Sequence, residues 1–527
     1  MTKVLIADAV NVVCAERLRE SCEVIEKPGL DEAGLIEAVA GVDAMVVRSG
    51  VRVTEAVIRG ADSLRVIGRA GAGVDTIDVE AATRAGIIVM NTPGGNSVST
   101  AEHTIALLFS CARNIAESDR SVRAGGWDRR RFVGTELRGK ILGIVGLGKV
   151  GREVARIAEA IGMRVLAHDP FLAESESPPL IELDRLFAVS DFVTLHSPLT
   201  ESTRHLVNEE RLASMKPSAR LINCARGGLV DEAALAEAIS SGRILGAAVD
   251  VYSSEPPTGN PLLEIDAITT TPHLGASTRE AQVQVAVQIA EQIEAWARDG
   301  SVVNAVNFPS LGGEAASRMA PYLDLAENLG SLAAQLLTGA PTELVVEIRG
   351  ELLEIDSRPL LASAAKGMLD TMLAEPANLV SAAALARDRG IELKEIRSSE
   401  AEDFSALISV KASAETDSHS ASGALFGRKE RRLVGLDGMR FDAALQGPML
   451  LIENVDQPGV VGVLGTILGE RGVNIAAMSL CRAADGARTL LNLDAAASDP
   501  LVQELETRPE FGAVRALRIK GDPVRPN

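Results

Sequence analysis

The sequence predicts an α/β fold in which two doubly wound parallel sheets, the first discontinuous in the chain, are followed by two smaller α+β modules. Three observations carry this. Short apolar strands alternate with helical patterns up to about Phe308. One strand, Ile141 to Val145, breaks straight into the turn Gly146-Leu147-Gly148-Lys149-Val150-Gly151. Beyond Phe308 the alternation gives way to mixed helical and strand-like stretches that lack catalytic motifs.

Bulk properties narrow the function. A chain of 527 residues has room for three or four domains. Apolar residues make up 46% and charged residues 24%, with a mean hydropathy of +0.14, as in compact globular proteins. Aromatics are only 3%, so the cores must be built from Ala, Val, Leu and Ile. That scarcity and the net charge of -19 argue against a nucleic-acid partner, which would be repelled and would find few stacking surfaces. The five cysteines contain no Cys-x-x-Cys pair, which points to a reducing cytoplasm and away from zinc or disulfides. The N-terminus opens into a strand rather than a charged-then-apolar leader, and no 18-residue apolar run occurs, so no membrane association is expected.

The elements follow in order. Strand candidates in the first unit are Lys3 to Asp8, Glu23 to Glu26, Ala44 to Arg48, Arg65 to Arg69 and Ile87 to Asn91. Gly71-Ala72-Gly73 in this unit resembles a second glycine fingerprint. However, Thr76 stands where its third glycine would be, so Gly68 to Asp75 reads as a tight strand-end turn. After Gly151 a helical run (Arg152 to Ile161) leads to strands at Arg164 to Asp169, Asp191 to His196, Ala219 to Cys224, Gly246 to Val251 and Ala267 to Thr271. A long helical pattern, Ser277 to Asp299, is placed to return the chain to the first unit. Pro309 to Gly313 reads as a linker. The next stretch mixes helices (Leu323 to Leu337, Asn378 to Arg389) with strands (Glu343 to Arg349, Ala406 to Lys411). Met449 to Ile519 runs strand, helix, strand, strand, helix, strand, the ferredoxin-like order.

Each glycine of the turn has a physical task. Gly146 makes the tight bend, Gly148 admits a pyrophosphate to the backbone, and Gly151 lets the helix pack on the strand, the arrangement of a Rossmann dinucleotide site. Asp169 lies at the end of the next strand, where a carboxylate accepts the ribose hydroxyls and repels a 2′-phosphate, so NAD is favoured over NADP. Three further strand ends carry ionisable groups, and open α/β sheets bind ligands there. Arg226 follows Asn223-Cys224-Ala225 and can grip a carboxylate. Glu255 precedes Pro256-Pro257, and His273 stands in Pro272-His273-Leu274-Gly275, suited to proton transfer with Glu255 orienting its ring.

Arg48-Ser49, Gly68 to Asp75, Asn91-Thr92-Pro93, Gly139 to Gly151, Asn223 to Glu232 and Pro272 to Thr278 together resemble the long-type D-3-phosphoglycerate dehydrogenases, a branch of the D-2-hydroxyacid dehydrogenases. The resemblance covers nearly the whole chain and implies four regions: a substrate-binding domain (1–94 and 282–309), an NAD-binding Rossmann domain (95–281), an intervening regulatory domain (310–446) and an ACT domain (447–527). It implies catalysis by Arg226, Glu255 and His273. NAD would meet Gly146, Gly148, Lys149, Val150, Gly151, Asp169, Ser197, Cys224, Ala225, Arg226, Asp250 and the His273-Leu274-Gly275-Ala276 turn, with Ala72 lining the cofactor. The implied substrate, 3-phosphoglycerate, would be held by Arg226, His273, backbone groups near Ala72 and Gly73, and Arg48 at its phosphate. Arg129-Arg130-Arg131 reads either as a phosphate contact across a dimer interface or as a solvated charge run. In the last module Asn454, Asp456 and Asn474 occupy loops at which ACT domains bind amino acids, so L-serine is the expected effector of a homo-oligomer, dimer or tetramer. In the intervening module Arg432 and Arg440 are available for an anion, while Ala444 stands where a further basic group is expected.

Two rival readings share these residues. A hydroxypyruvate or glyoxylate reductase would keep the same triad, but the ACT-like module and Arg48 speak against it. A dehydrogenase-fold regulatory binding protein could also retain the triad, and turnover distinguishes it.

Overall fold

The computed structural model describes residues 1–524 apart from Glu176, 310–312, Ile355, 400–403, Arg428 and 484–485. The first sheet is parallel, in the order β2-β1-β3-β4-β5, from β1 (Lys3–Ile6), β2 (Glu23–Glu26), β3 (Ala44–Val47), β4 (Val66–Arg69) and β5 (Ile88–Met90). The second is also parallel, ordered β11-β10-β9-β8-β6-β7, from β6 (Ile141–Val145), β7 (Arg164–His168), β8 (Phe192–Leu195), β9 (Arg220–Asn223), β10 (Gly246–Val249) and β11 (Ile268–Thr270). Chain order reverses at β6, which makes a switch-point crevice at its carboxyl end.

The central strands are buried on both faces because helices cover both sides. The helix Arg279–Asp299 returns to the first sheet and lays Val285, Ala286, Ile289 and Ile293 on Val4, Ile6, Val66 and Met90. Gly68 in β4 allows it to settle there, since a Cβ at that position would lie 2.9 Å from Ile289. Thr278 caps the start of this helix and Gly300 its end in the left-handed conformation.

The third sheet runs β13-β12-β14-β15-β16-β17, from β12 (Pro341–Gly350), β13 (Glu392–Ser398), β14 (Ala406–Ala414), β15 (Ser418–Phe426), β16 (Glu430–Leu436) and β17 (Met439–Ala444). Only its β12–β13 pair is parallel. The fourth is antiparallel, β19-β20-β18-β21, from β18 (Gly447–Asn454), β19 (Ile475–Ala483), β20 (Gly486–Leu493) and β21 (Phe511–Ile519). With the helices Val460–Glu470 and Asp499–Glu506 this is the ferredoxin-like order.

Several elements differ from expectation. The fingerprint helix starts at Lys149 rather than Arg152, because Gly148 itself caps it and the turn flows directly into the first helical residues. The helix expected at Leu323 begins at Gly313 and carries Pro321 inside it. The linker expected at Pro309 to Gly313 falls mostly on 310–312, outside the described residues, and Gly313 is helical. The helices Ser97–Arg113 and Ile115–Arg123 had no counterpart in the sequence pattern, and the first packs on the second sheet through Ala101, Ile105 and Leu108.

Candidate active site

The strand ends of the two sheets face each other across a cavity of about 650 Å³, lined among others by Arg48, Arg69, Ala72, Gly73, Arg226, Glu255 and His273. Residues widely separated in sequence thus meet in one space.

His273 sits in a tight turn at φ +55, and its N–H donates to the Asp250 carbonyl oxygen at 2.8 Å. Its Nδ1 lies 2.8 Å from Glu255 Oε2. Glu255 is itself held, with Oε1 accepting the Tyr252 N–H at 3.2 Å. This fixes the ring and leaves Nε2 as the nitrogen for a substrate proton. The turn owes its shape to Asp250. One carboxylate oxygen accepts from Thr271 Oγ1 (2.6 Å) and the Leu274 N–H (2.7 Å), with His103 Nε2 at 3.2 Å; the other accepts the Gly275 N–H (2.8 Å). Burial alone would push this carboxyl up, but the bonds from His103, Thr271, Leu274 and Gly275 outweigh it and hold it below its ordinary range. Asp250 was expected as a cofactor contact, and in the structure it builds the His273 turn.

Arg226 crosses to the first sheet. Its Nε donates to Asp75 Oδ2 at 2.7 Å and its Nη1 to the Ala225 carbonyl oxygen at 2.7 Å. Asn223 pins the loop on both sides, donating to Arg226 O at 2.9 Å and accepting from the Ala225 N–H at 3.1 Å. The guanidinium lies against Gly73, where a Cβ would be 1.8 Å from Nη2. Arg69, which sequence reasoning passed over, lies behind it. Burial first, then the charge of Arg226, pulls its guanidinium down to about 10 despite Asp75, and its Nε is buried without a hydrogen-bond partner. Arg48, Arg52 and Arg204 complete the cationic lining. Arg52 and Arg204 had no signal beyond their charge. Arg69 had one: it ends β4 immediately before the glycine turn.

The residues fit a dinucleotide. A Cβ on Gly148 would meet nothing within 4 Å, so the space in front of the helix start is open, whereas Gly146 (φ +95) and Gly151 are packed too closely to carry one. The helix Lys149–Ala160 has no side-chain cap, so its first N–H groups face that space. Asp169 stands at the rim with Oδ2 accepting the Leu147 N–H at 2.9 Å. Ser197 Oγ bonds Val145 O at 3.3 Å. Cys224 is buried and its thiol is pushed up to about 12 by that burial, which makes it packing rather than chemistry. Lys149 Nζ donates to Pro93 O at 2.9 Å, spanning the crossover between the two sheets. Val150 lies in the first turn of the helix Lys149–Ala160, Ala225 just past β9, and Leu274 and Ala276 in the turn after β11.

The remaining expected residues lie apart from the cavity. Arg131 bonds Glu117 and Asp266 of its own chain. Arg432 is paired with Asp442 and Glu430, while Arg440 lines a separate cavity of about 490 Å³ with Arg349, Ser409 and Ser422. Asn454 is buried in the fourth sheet, its amide accepting from Thr489 Oγ1 and donating to Val455 O. Asp456 pairs with Arg482 at 3.2 Å, and Asn474 donates to Asp494 at 2.8 Å.

Two family models match: the NAD-binding domain of D-isomer specific 2-hydroxyacid dehydrogenases over residues 105–275, and the D-3-phosphoglycerate dehydrogenase intervening domain over 318–437. The chain is 43% identical to a D-3-phosphoglycerate dehydrogenase of Synechocystis sp., covering 96% of this chain and 92% of the relative. It is 39% identical to one of Methanocaldococcus jannaschii over 98% of this chain and all of the relative. A solved structure from Thermus thermophilus, 37% identical, matches 58% of this chain and all of its own length with a TM-score of 0.54.

Proposed function

The chain belongs to the D-3-phosphoglycerate dehydrogenase family, and from that premise we propose how its cavity carries out the reaction. It is an NAD-dependent oxidoreductase that converts 3-phospho-D-glycerate to 3-phosphohydroxypyruvate on the route to L-serine. The carrying observation is the His273 Nδ1 to Glu255 Oε2 contact of 2.8 Å in one cavity with Arg226.

His273 Nε2 takes the proton of the C2 hydroxyl as the electron pair of the C2–H bond departs and the C2–O bond becomes a carbonyl. Glu255 stabilises the imidazolium that forms. Arg226 and the backbone around Ala72 and Gly73 hold the carboxylate, so that C2 is fixed between base and acceptor. Arg48, with Arg69 behind it, takes the phosphate. NAD, when bound, accepts the hydride. Gly146 to Gly151 would hold its pyrophosphate, Asp169 its ribose, and Ser197, Cys224 to Arg226 and His273 to Ala276 the nicotinamide side. Asp250 contributes by shaping the last of these.

The division of labour we propose assigns 1–94 with 282–309 to substrate, 95–281 to NAD, 310–446 to an intervening regulatory domain and 447–527 to an ACT domain that responds to L-serine between two chains. Asp456 and Asn474 support the effector role by their place on the loop ends. The enzyme is proposed to be a cytoplasmic homo-oligomer, since Ile115, Val122, Trp127 and Val133 expose apolar surface on neighbouring segments. NADH formation on 3-phosphoglycerate, D-glycerate and 2-hydroxyglutarate tests the substrate. Serine titration of wild type and Asp456→Ala tests the effector, which is discarded if serine alters neither rate nor affinity.

A further inference from the structure

Between the helices Arg358–Leu369 and Ala382–Asp388 the intervening module crosses to the first sheet. Ala377 is buried in the core of the third sheet, and nearby Val380 in the core of the first. Asn378 sits between them. Its Oδ1 accepts the N–H groups of Val380 (3.0 Å) and Ser381 (2.9 Å), which holds the turn, while its Nδ2 donates to Gly86 O at 2.9 Å. Gly86 is at φ +74, and a Cβ there would lie 1.9 Å from Nδ2, so only glycine permits the approach. Arg84 Nε meets Asp388 at 3.2 Å beside it.

Gly86 leads into β5, and the far end of β5 holds the substrate loop. Asn91 Nδ2 donates to Ala72 O at 2.5 Å and the Thr92 N–H to Gly71 O at 3.1 Å, fixing the Gly71 to Gly73 turn against which Arg226 lies. In the opposite direction the Ala377 N–H donates to Asp370 Oδ1 at 2.8 Å. Asp370 Oδ2 holds Lys366 at 2.6 Å, Lys366 holds Glu327 at 2.7 Å, and Glu327 holds Lys520, just past β21, at 2.9 Å. Glu327 is buried, which makes this chain of contacts stiff rather than a passing surface pair.

We propose that Asn378 is a positioning residue for the oxidation. The intervening module braces β5 through Asn378 and Gly86, and β5 in turn sets the Gly71 to Gly73 loop, so the C-terminal modules reach the substrate through the first sheet rather than through the NAD unit. The inference rests on the reading of the cavity as the 3-phosphoglycerate site. It also requires the brace to change substrate binding while leaving cofactor binding alone.

Asn378→Asp separates the two tasks of the side chain, because the carboxylate still accepts the N–H groups of Val380 and Ser381 but has no donor for Gly86 O. In the full-length enzyme it should raise KM for 3-phosphoglycerate about three- to ten-fold with kcat within about two-fold, and leave the Kd for NADH unchanged. Amide exchange should quicken at 86–92 and stay as in wild type at 141–168. Asp388→Ala, which removes the neighbouring ion pair without touching the turn, should move exchange at 86–92 in the same direction by less. Unchanged KM and unchanged exchange in a folded Asn378→Asp enzyme would overturn the proposal, as would a parallel loss of NADH affinity, which marks general loosening. If wild type does not oxidise 3-phosphoglycerate, the assigned function fails, and the exchange experiment still decides the brace.

Discussion

At Asp169 we propose that one carboxylate decides between two cofactors. Its Oδ2 is fixed by the Leu147 N–H, so it cannot swing away from a ribose 2′-phosphate, and the two negative charges would meet. Wild type should therefore prefer NAD strongly, and Asp169→Ala should narrow the NAD-to-NADP ratio of kcat/KM by about ten-fold or more; a wild type that uses both equally well contradicts the assignment. His196 makes a second prediction. Burial holds its imidazole down at about 4 against an ordinary 6.5, so across that window the unfolded chain binds more protons than the folded one. Stability is then full above pH 6.5 and lost as pH falls toward 4. His196→Gln should flatten that slope in denaturant titrations. Arg226, Glu255 and His273 were legible because each stands in a short stiff turn at a strand end, where sequence alone implies a direction. Asp250 was legible as a strand-end acid but not as the organiser of the His273 turn, because His103 and Thr271 reach it from elements far away in sequence. Arg69 was legible as the residue that ends β4 before the glycine turn, but not as a buried cation beside Arg226, because that burial is a product of the two sheets meeting.

The strands of the parallel sheets were readable because runs such as Ala44–Val47 and Phe192–Leu195 are buried on both faces and leave little else they can be. Strands β15 to β17 were not. Ser418–Phe426 is rich in Ser, Ala and Gly, and Glu430–Leu436 opens with three charged residues, so neither shows a clean two-residue period. The helix Ser97–Arg113 was obscured by its Ser- and Thr-rich first turns, which resemble a loop, although Ser99, Thr100 and Thr104 are buried in its contact face. Gly68 to Asp75 reads as a strand-end turn, whereas Gly68 and Arg69 belong to β4 and the turn begins after them; the geometry at Gly73 gives a prediction at this scale. A methyl at Gly73 meets the end of a flexible side chain rather than backbone, so Gly73→Ala should fold and displace Arg226 instead. KM for 3-phosphoglycerate should rise and kcat fall, together about 10²-fold in kcat/KM, with NADH affinity within about two-fold of wild type. An unchanged kcat/KM would mean that Arg226 does not hold the substrate where proposed.

Across the whole molecule, a protein of net charge -19 gathers Arg48, Arg52, Arg69, Arg204 and Arg226 around one cavity whose facing acids include Asp75 and Glu255, each already paired. We propose that such a site attracts a trianionic substrate against the charge of the protein as a whole, because a bound anion would relieve the repulsion among its arginines. Inorganic phosphate should therefore raise the melting temperature, by the equivalent of about 2.7 kcal/mol at a hundred times its Kd, with the gain shrinking in added chloride salt and in Arg69→Met. No shift in either protein would remove the phosphate role of the cluster. Whether His273 is the base for 3-phosphoglycerate oxidation is decided by the initial rate of NADH formation on 3-phosphoglycerate by the intact wild type and by His273→Ala, with NADH affinity measured on the same samples. Wild type should turn over, His273→Ala should run about 10² to 10⁴ times slower, and both should bind NADH with the same Kd; a His273→Ala enzyme within a few-fold of the wild-type rate would rule His273 out as the base.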